Sequence, residues 1–232
     1  MLEIKDILNT VINADCLDIL KQLPDKSIDL CLTDPPYGIG FDGENGYNEI
    51  TEQKYPSYLH AIKRFPCAIM NYPEECMKYF SPILGVPNDC LLWVYNSNTK
   101  RQSRMICVYG KTVNYGGHKQ KCKNPEDKRV NQFVDSYDWF SDIQQVKNIS
   151  LEKTEHPCQL PEKLVSRIIL MLTKPGDIIL DPFFGSGTTG VAAKLFGRQF
   201  IGIEISPEYC EIARKRIDQT LVNKKLTFGE SK

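Results

Sequence analysis

Two rhythms of hydrophobic and polar positions divide this chain. Short apolar runs at residues 10–13, 28–32, 90–95, 178–180 and 199–204 read as buried strands. Between them, apolar residues recur at helical spacing. Leu17, Ile19, Leu20 and Leu23 predict a helix over 16–23, closed by Pro24 and Asp25. Pro73 suits the first turn of a helix over 73–84, with Glu74 and Glu75 at the positive end of its dipole. Leu164, Ile168 and Leu172 share one face of a helix over 160–172. Further helices are predicted over 186–196, closed by Gly197, and over 207–221. Residues 55–70 read as partly helical, 137–146 as holding a strand, and Ser97 as the N-cap of a helix reaching about 109. The tail, 222–232, reads as frayed.

Strand, helix and strand follow within about 25 residues at the start of the chain, a βαβ spacing that requires parallel strands. The expected fold is therefore α/β: a doubly wound, mostly parallel, Rossmann-like sheet. The 232 residues suit one domain spanning 1–232. With 41% hydrophobic and 25% charged residues the chain can bury a core. Formal net charge is zero, so any surface that attracts polyanions must be local. Nine cysteines, an odd number with no C-x-x-C pair, exclude zinc-site spacing, and no metal ligands are assigned. They point to a reducing, cytoplasmic setting. No run approaches the ~18 apolar residues of a membrane span, so no membrane partner is expected.

One local excess of charge stands out. Between residues 100 and 129 there are nine Lys or Arg against two acids, with Tyr109, Tyr115 and His118 interleaved. Clustered cations among aromatics suit contact with nucleic-acid phosphates, and Lys100, Arg101, Arg104, Lys119 and Lys121 are the candidates. The plainer reading is a solvated charged face. The stretch 119–129 is aperiodic and reads as a loop.

Two loops carry candidate chemistry. Asp34, Pro35, Pro36 and Tyr37 end the strand over 28–32, and in open α/β sheets ligands bind outside the carboxyl ends of strands. The plainer reading is a Pro-Pro turn with Asp34 as a turn former. Residues 38–55 follow, with Gly38, Gly40, Gly43 and Gly46 and no period, as expected of a mobile loop over a site. The second loop, Gly185, Ser186, Gly187, Thr188, Thr189 and Gly190, matches G-x-G-x-x-G between a strand and a helix. Glu204 ends the next strand, where a carboxylate suits a ribose diol. That pattern predicts an adenosine-containing cofactor, and a nicotinamide enzyme is the first guess. Asp181, however, would repel a pyrophosphate and suits an ammonium. Phe183 and Phe184 offer aromatic faces to a sulfonium. S-adenosylmethionine carries a diol, an ammonium, a carboxylate and a sulfonium, and so matches all of these.

Asp34-Pro35-Pro36-Tyr37 together with Asp181-Pro182-Phe183-Phe184-Gly185-Ser186-Gly187-Thr188 resembles the amino-group DNA methyltransferases. The D-P-P-Y motif precedes the cofactor glycines, the circularly permuted order of the β class. His156-Pro157-Cys158-Gln159-Leu160-Pro161 is similar to the family's H-P-T-Q-K-P, with Cys158 in place of Thr and Leu160 in place of Lys. Asn13-Ala14-Asp15-Cys16 resembles the segment that meets the cofactor's adenine. The resemblance implies cofactor contacts from Asp15, Cys16, His156, Gln159, Asp181, Pro182, Phe183, Gly185, Ser186, Gly187, Thr188, Thr189 and Glu204. It also implies site-specific methylation of double-stranded DNA, base flipping, restriction–modification biology, a reversed edge strand and a possible homodimer in the cytoplasm near the nucleoid. Target recognition is expected from about 116–148.

D-P-P-Y is commoner among adenine-N6 enzymes and S-P-P-Y among cytosine-N4 enzymes, so adenine is favoured and cytosine-N4 is the alternative. A nucleic-acid-binding protein that keeps the cofactor pocket without turnover is the more distant one. Pro157-Cys158-Gln159 is also the tripeptide around the nucleophile of carbon-5 cytosine enzymes. Here it precedes a helix, and the partner E-N-V tripeptide is absent from the chain.

Overall fold

The computed structural model describes residues 2–36, 54–97, 100–122, 126–130, 132–147 and 150–220. A short helix α1 (Ile4–Ile7) leads into β1 (Thr10–Asn13), α2 (Cys16–Leu20), β2 (Leu30–Thr33), α3 (Tyr55–Ile62) and β3 (Cys67–Asn71). Next come α4 (Pro73–Glu75), a π-helical stretch (Cys76–Phe80) and α5 (Ser81–Leu84), then β4 (Asp89–Val94), β5 (Ser103–Tyr109), β6 (Lys119–Lys121), β7 (Phe133–Asp135) and β8 (Trp139–Phe140). The chain ends with α6 (Glu162–Leu172), β9 (Ile178–Asp181), α7 (Thr188–Leu195), β10 (Gln199–Glu204) and α8 (Pro207–Gln219).

Eight of these strands form one sheet in the order β1-β10-β9-β2-β3-β5-β4-β8, and β6 and β7 form a separate antiparallel pair. Successive strand residues point to opposite faces, and both faces are buried. Leu30 and Leu32 of β2, with Ala68 and Met70 of β3, join a core formed with Leu164 and Ile168 of α6, Val191 of α7, and Ala213 and Ile217 of α8. Cys31, Cys67 and Ile69 face the other way, into a core with Leu20 of α2, Leu59 and Ile62 of α3, and Phe80. A sheet covered on both sides needs apolar residues at consecutive positions, as these strands have. The chain leaves β2 for α3 on one face and leaves β9 for α7 on the other, although β2 and β9 are hydrogen-bonded neighbours. Crossovers that diverge from adjacent strands open a crevice at their carboxyl ends.

The structure corrects several sequence expectations. The described part of 97–109 does not form a helix. Its second half is β5, in which Ile106 and Val108 bury on one face and Cys107 and Tyr109 on the other, a period of two. The basic residues near Ser97 imitate a helix start, but burial on both faces decides for a strand. Residues 55–70, read as partly helical, are helical as α3 up to Ile62, and after Pro66 residues 67–71 are β3, all five buried. Only Trp139 and Phe140 of 137–146 pair as a strand. The reversed strand is not at an edge: β5 runs antiparallel to both β3 and β4, between them, and the edges are β1 and β8. Tyr37, most of the 38–55 loop and the 222–232 tail lie outside the described residues.

Candidate active site

The crevice at the carboxyl ends of β2 and β9 is a cavity of about 370 Å³, within the range of small-molecule sites. Asp34 and Pro36 line one side of it, and Asp181, Phe183 and Ser186 the other. Asp15, Cys16, His156, Gln159, Pro182, Gly185, Thr188, Thr189 and Glu204 also border it. Pro35 is buried beneath the rim. Residues more than 140 positions apart are joined directly: Thr33 Oγ1 at the end of β2 donates to Asp181 Oδ1 at the end of β9, at 3.1 Å.

Asp181 is among the most engaged groups in the cavity. Besides Thr33 it accepts from Thr189 Oγ1 at 2.6 Å and from the Phe183 amide at 3.1 Å. Burial nevertheless pushes its carboxyl up to about 6, the hydrogen bonds pulling against it. Three donors leave it about one free acceptor site toward the cavity. Glu204 accepts the Gly185 amide on one oxygen and the Ser206 amide on the other, both at 2.8 Å. It therefore ties the glycine loop to the start of α8, and burial raises its carboxyl pKa. Asp15 caps α2 by accepting from the Leu17 amide at 2.9 Å. Cys16 behind it is buried, and burial raises its thiol well above the ordinary range.

The glycines of the loop serve the protein's own packing. Gly185 and Gly187 have φ of +51° and +80°, a region that favours glycine. A Cβ at Gly185 would lie 2.9 Å from His156 Nε2, and one at Gly187 2.8 Å from the Ala213 Cβ. At Gly190 and Gly202 it would meet the Phe184 ring at 2.7 and 2.5 Å. Phe184 is buried there and stacks on Phe200 at 5.6 Å, so it is a core residue. Phe183 instead meets Tyr58 edge-on at 5.2 Å at the cavity wall.

His156 packs on Tyr209 at 4.5 Å, and its Nδ1 accepts the Cys158 amide at 3.2 Å, which places the proton of a neutral ring on Nε2. Burial, with Lys153 and Arg216 nearby, lowers its pKa to about 4. Gln159 accepts from the Thr154 amide and hydroxyl at 2.9 and 2.8 Å, and donates to the Glu152 carbonyl at 2.6 Å. Its amide organises the segment before α6.

Three participants escaped the sequence reading. Arg216 of α8 donates to the Ser186 carbonyl at 2.7 Å, to Ser186 Oγ at 2.9 Å and to Thr188 Oγ1 at 3.2 Å, with Glu162 as its ion partner at 2.8 Å. Thr33 is the second. The third contact is that of Arg104, whose Nη1 lies 3.1 Å from each oxygen of Asp34. Burial raises the Asp34 carboxyl and Arg104 pulls against it, which leaves it at about 6.

Of the expected nucleic-acid contacts, then, Arg104 points into the crevice rather than outward. Arg101 pairs with Glu74 at 2.9 Å and lies over Tyr72, and Lys119 pairs with Asp135. Lys111 and Arg129 likewise meet Asp177 and Asp127. Four of these five carboxylates lie outside the 100–129 run, so the local charge excess is smaller in space than in sequence. Lys100 and Lys121 are exposed. Among the described residues no cluster of His, Cys, Asp and Glu could hold a metal, and no helix is long and apolar enough to cross a membrane.

A family model described as DNA methylase, for N6 and N4 methyltransferases, matches residues 66–215. The chain belongs to this DNA methylase family. Among relatives of the methylase, DNA adenine methyltransferase YhdJ of Escherichia coli (strain K12) is 32% identical over 90% of this chain and 82% of its own length. Type II methyltransferase M.HinfI of Haemophilus influenzae is 29% identical, over 95% and 71%. The fold is shared with the M1.HpyAVI–SAM complex (24% identity, TM-score 0.60, 90% of this chain and 98% of that one). It is shared equally with the cytosine-N4-specific PvuII DNA methyltransferase (18%, TM-score 0.65, 92% and 86%). Asp34 lies before the family match begins, so its place in this methylase rests on the crevice it shares with Asp181.

Proposed function

We propose that this methylase transfers a methyl group from S-adenosylmethionine to the exocyclic N6 of adenine at a specific site in double-stranded DNA. The observation that carries the reading is the joining of the D-P-P end of β2 to the glycine loop after β9 in one cavity. The residues present fit the donor. Asp181 keeps an acceptor site for an ammonium, Asp15 and Glu204 border the cavity for adenosine, and Phe183 gives it an aromatic wall. When bound, S-adenosylmethionine supplies an electrophilic methyl on a sulfonium.

The chain's own contribution is to the acceptor. An exocyclic amino nitrogen delocalises its lone pair into the base and is a poor nucleophile. Asp34 and the Pro35 carbonyl accept its two N–H bonds and localise that lone pair, and Pro36 stiffens the turn. Tyr37 stacks on the extruded base. Orientation supplies much of the rate gain. The segment 116–148 around β6 and β7 reads the target, and Lys100, Lys119 and Lys121 meet phosphates. The setting is the cytoplasm, close to the nucleoid, and two copies associate.

Labelled methyl transfer onto DNA followed by nucleoside analysis tests this. N6-methyladenine is expected; N4-methylcytosine would move the activity to the other amino base, and no product on any DNA would leave a binder only. Asp34→Ala is expected to keep cofactor binding and lose about 100- to 1,000-fold in transfer, as removal of one essential polar group does. Near-normal methylation by that variant would overturn the role of Asp34.

A further inference from the structure

β5 is the one reversed strand of the large sheet among the described residues, and reversal has a consequence for the site. The other strands bring their carboxyl ends to the crevice, whereas β5 brings its amino end. Arg104, the second residue of β5, shares a face with Ile106 and Val108, the face on which Leu32 and Met70 also bury. Its side chain thereby crosses from the far side of β3 to Asp34, 70 residues earlier in the chain.

The contact is built rather than incidental. One nitrogen, Nη1, spans both Asp34 oxygens at 3.1 Å. The two side chains are only 12% and 13% exposed. The guanidinium carbon lies 5.1 Å from the centre of the Tyr72 ring, and Nε points to Tyr95 Oη at 3.5 Å. Packed between two tyrosines, this arginine cannot swing outward to follow a phosphate without abandoning them. An ionised carboxylate has about four acceptor sites, so one bridging nitrogen leaves room for an incoming amino N–H.

We propose that Arg104 is a positioning residue for methyl transfer: it holds the buried Asp34 carboxylate ionised and aimed for the target amino group. This rests on the acceptor role of Asp34 set out above. A carboxylate in this crevice without a counter-charge would take up a proton at neutral pH, because burial disfavours its charged form. A protonated Asp34 would present its own hydrogen to the amino group and could no longer draw out both N–H bonds. Arg104 suits the task because its charge cannot be removed by deprotonation.

Other ionisable groups also face Asp34: Asp181 on β9, Tyr55 on α3, Tyr95 after β4 and Cys158 before α6. Of these, Asp181 could shape an acid limb in the same range, so cofactor affinity must be followed across pH beside the rate.

The test compares Arg104→Gln and Arg104→Lys with the unaltered methylase, measuring kcat and KM for DNA from pH 5.5 to 9. With Gln, the acid limb of the kcat profile, set by a carboxyl at about 6, should move up by about two units. At pH 7 the ionised fraction, and kcat with it, should then fall by about tenfold and should largely recover by pH 9. KM for DNA and the affinity for S-adenosylmethionine should change by less than about threefold. Lys, which keeps the charge, should restore most of the pH 7 rate. A loss that is equal at every pH, or that Lys does not restore, would mean a structural role and overturn the proposal. A rise in KM for DNA with kcat intact would make Arg104 a phosphate contact and overturn it too. If Asp34→Ala itself retains transfer, the acceptor role of Asp34 has failed; if that variant is inactive and Arg104→Gln matches the unaltered pH profile, the fault lies in the role of Arg104.

Discussion

The two sides of the crevice are built on different principles. On the β9–α7–β10 side, the loop, the helix that follows it and Glu204, which accepts the Gly185 amide, lie within one βαβ unit and read straight off the sequence. On the β3–β5–β4 side, what reaches Asp34 is set by strand register: Arg104 arrives because β5 is reversed and because Met70 stands opposite Ile106. The first side is a motif in the chain, the second a motif only in space. A short sequence can specify the geometry around one loop, but counter-charges and packing partners come from wherever the sheet order puts them.

The sharpest way to break this comparison is at the packing of the motif side. Gly202 sits in the middle of β10 with the Phe184 ring where a Cβ would go, 2.5 Å away. Phe184 is pinned in turn by Phe200 and Gly190, so the ring has nowhere to move. Gly202→Ala is expected to destabilise the fold by about 3 kcal/mol, the upper end for overpacking. Gly116→Ala, whose Cβ would meet the Asn114 side chain at 3.4 Å and the Asp135 carboxylate at 3.9 Å, should stay within about 0.5 kcal/mol. Urea unfolding of both measures the contrast. Equal costs would mean that the close packing around Phe184 gives way without penalty.

That result bears on what a sequence can show. In the G-x-G-x-x-G loop, Gly187 and Gly190 make room for Ala213, Ile217 and Phe184, packing partners that the pattern itself does not name. The strands β2, β9 and β10 were legible because residues buried on both faces leave unbroken apolar runs. β5 was not, since its amino half carries Arg104 and its basic neighbours imitate a helix start. β3 was hidden behind α3, with Pro66 as the only break. Asp34 and Asp181 were legible as strand-end acids. Their partners were not, because nothing local marks Arg104 or Arg216 as the cation that a distant loop requires.

Arg216 allows a second, milder cut on the motif side. It supplies hydrogen bonds to the backbone and hydroxyl of Ser186 and to Thr188, all from α8. Removing it leaves the Ser186 carbonyl without that donor and Glu162 without its ion partner. Arg216→Ala should weaken S-adenosylmethionine binding by about tenfold, the equivalent of one charge-assisted hydrogen bond lost from the loop. DNA affinity should hardly change. Calorimetric titration with the cofactor, beside a DNA-binding assay, separates the two. A loss of DNA affinity with normal cofactor binding would place α8 on the spatial side of the comparison instead.

The smallest effects are expected on the basic surface, where pairing decides what a charge can do. Lys119 has Asp135 across the β6–β7 pair, whereas Lys121 is exposed two residues further on, opposite Phe133. Both side chains of the Lys119 pair are about half exposed, so the pair itself contributes little to stability. It does neutralise Lys119 as seen by a distant phosphate. Lys121→Ala should therefore lower DNA affinity by a few-fold and reduce the slope of log affinity against log salt by about one. Lys119→Ala should do less on both counts, because Asp135 already holds the Lys119 ammonium away from a full phosphate contact. If the two variants lose affinity equally, counting cations along the sequence was a sufficient guide on this surface, and the spatial pairing of charge matters there less than it does at Asp34.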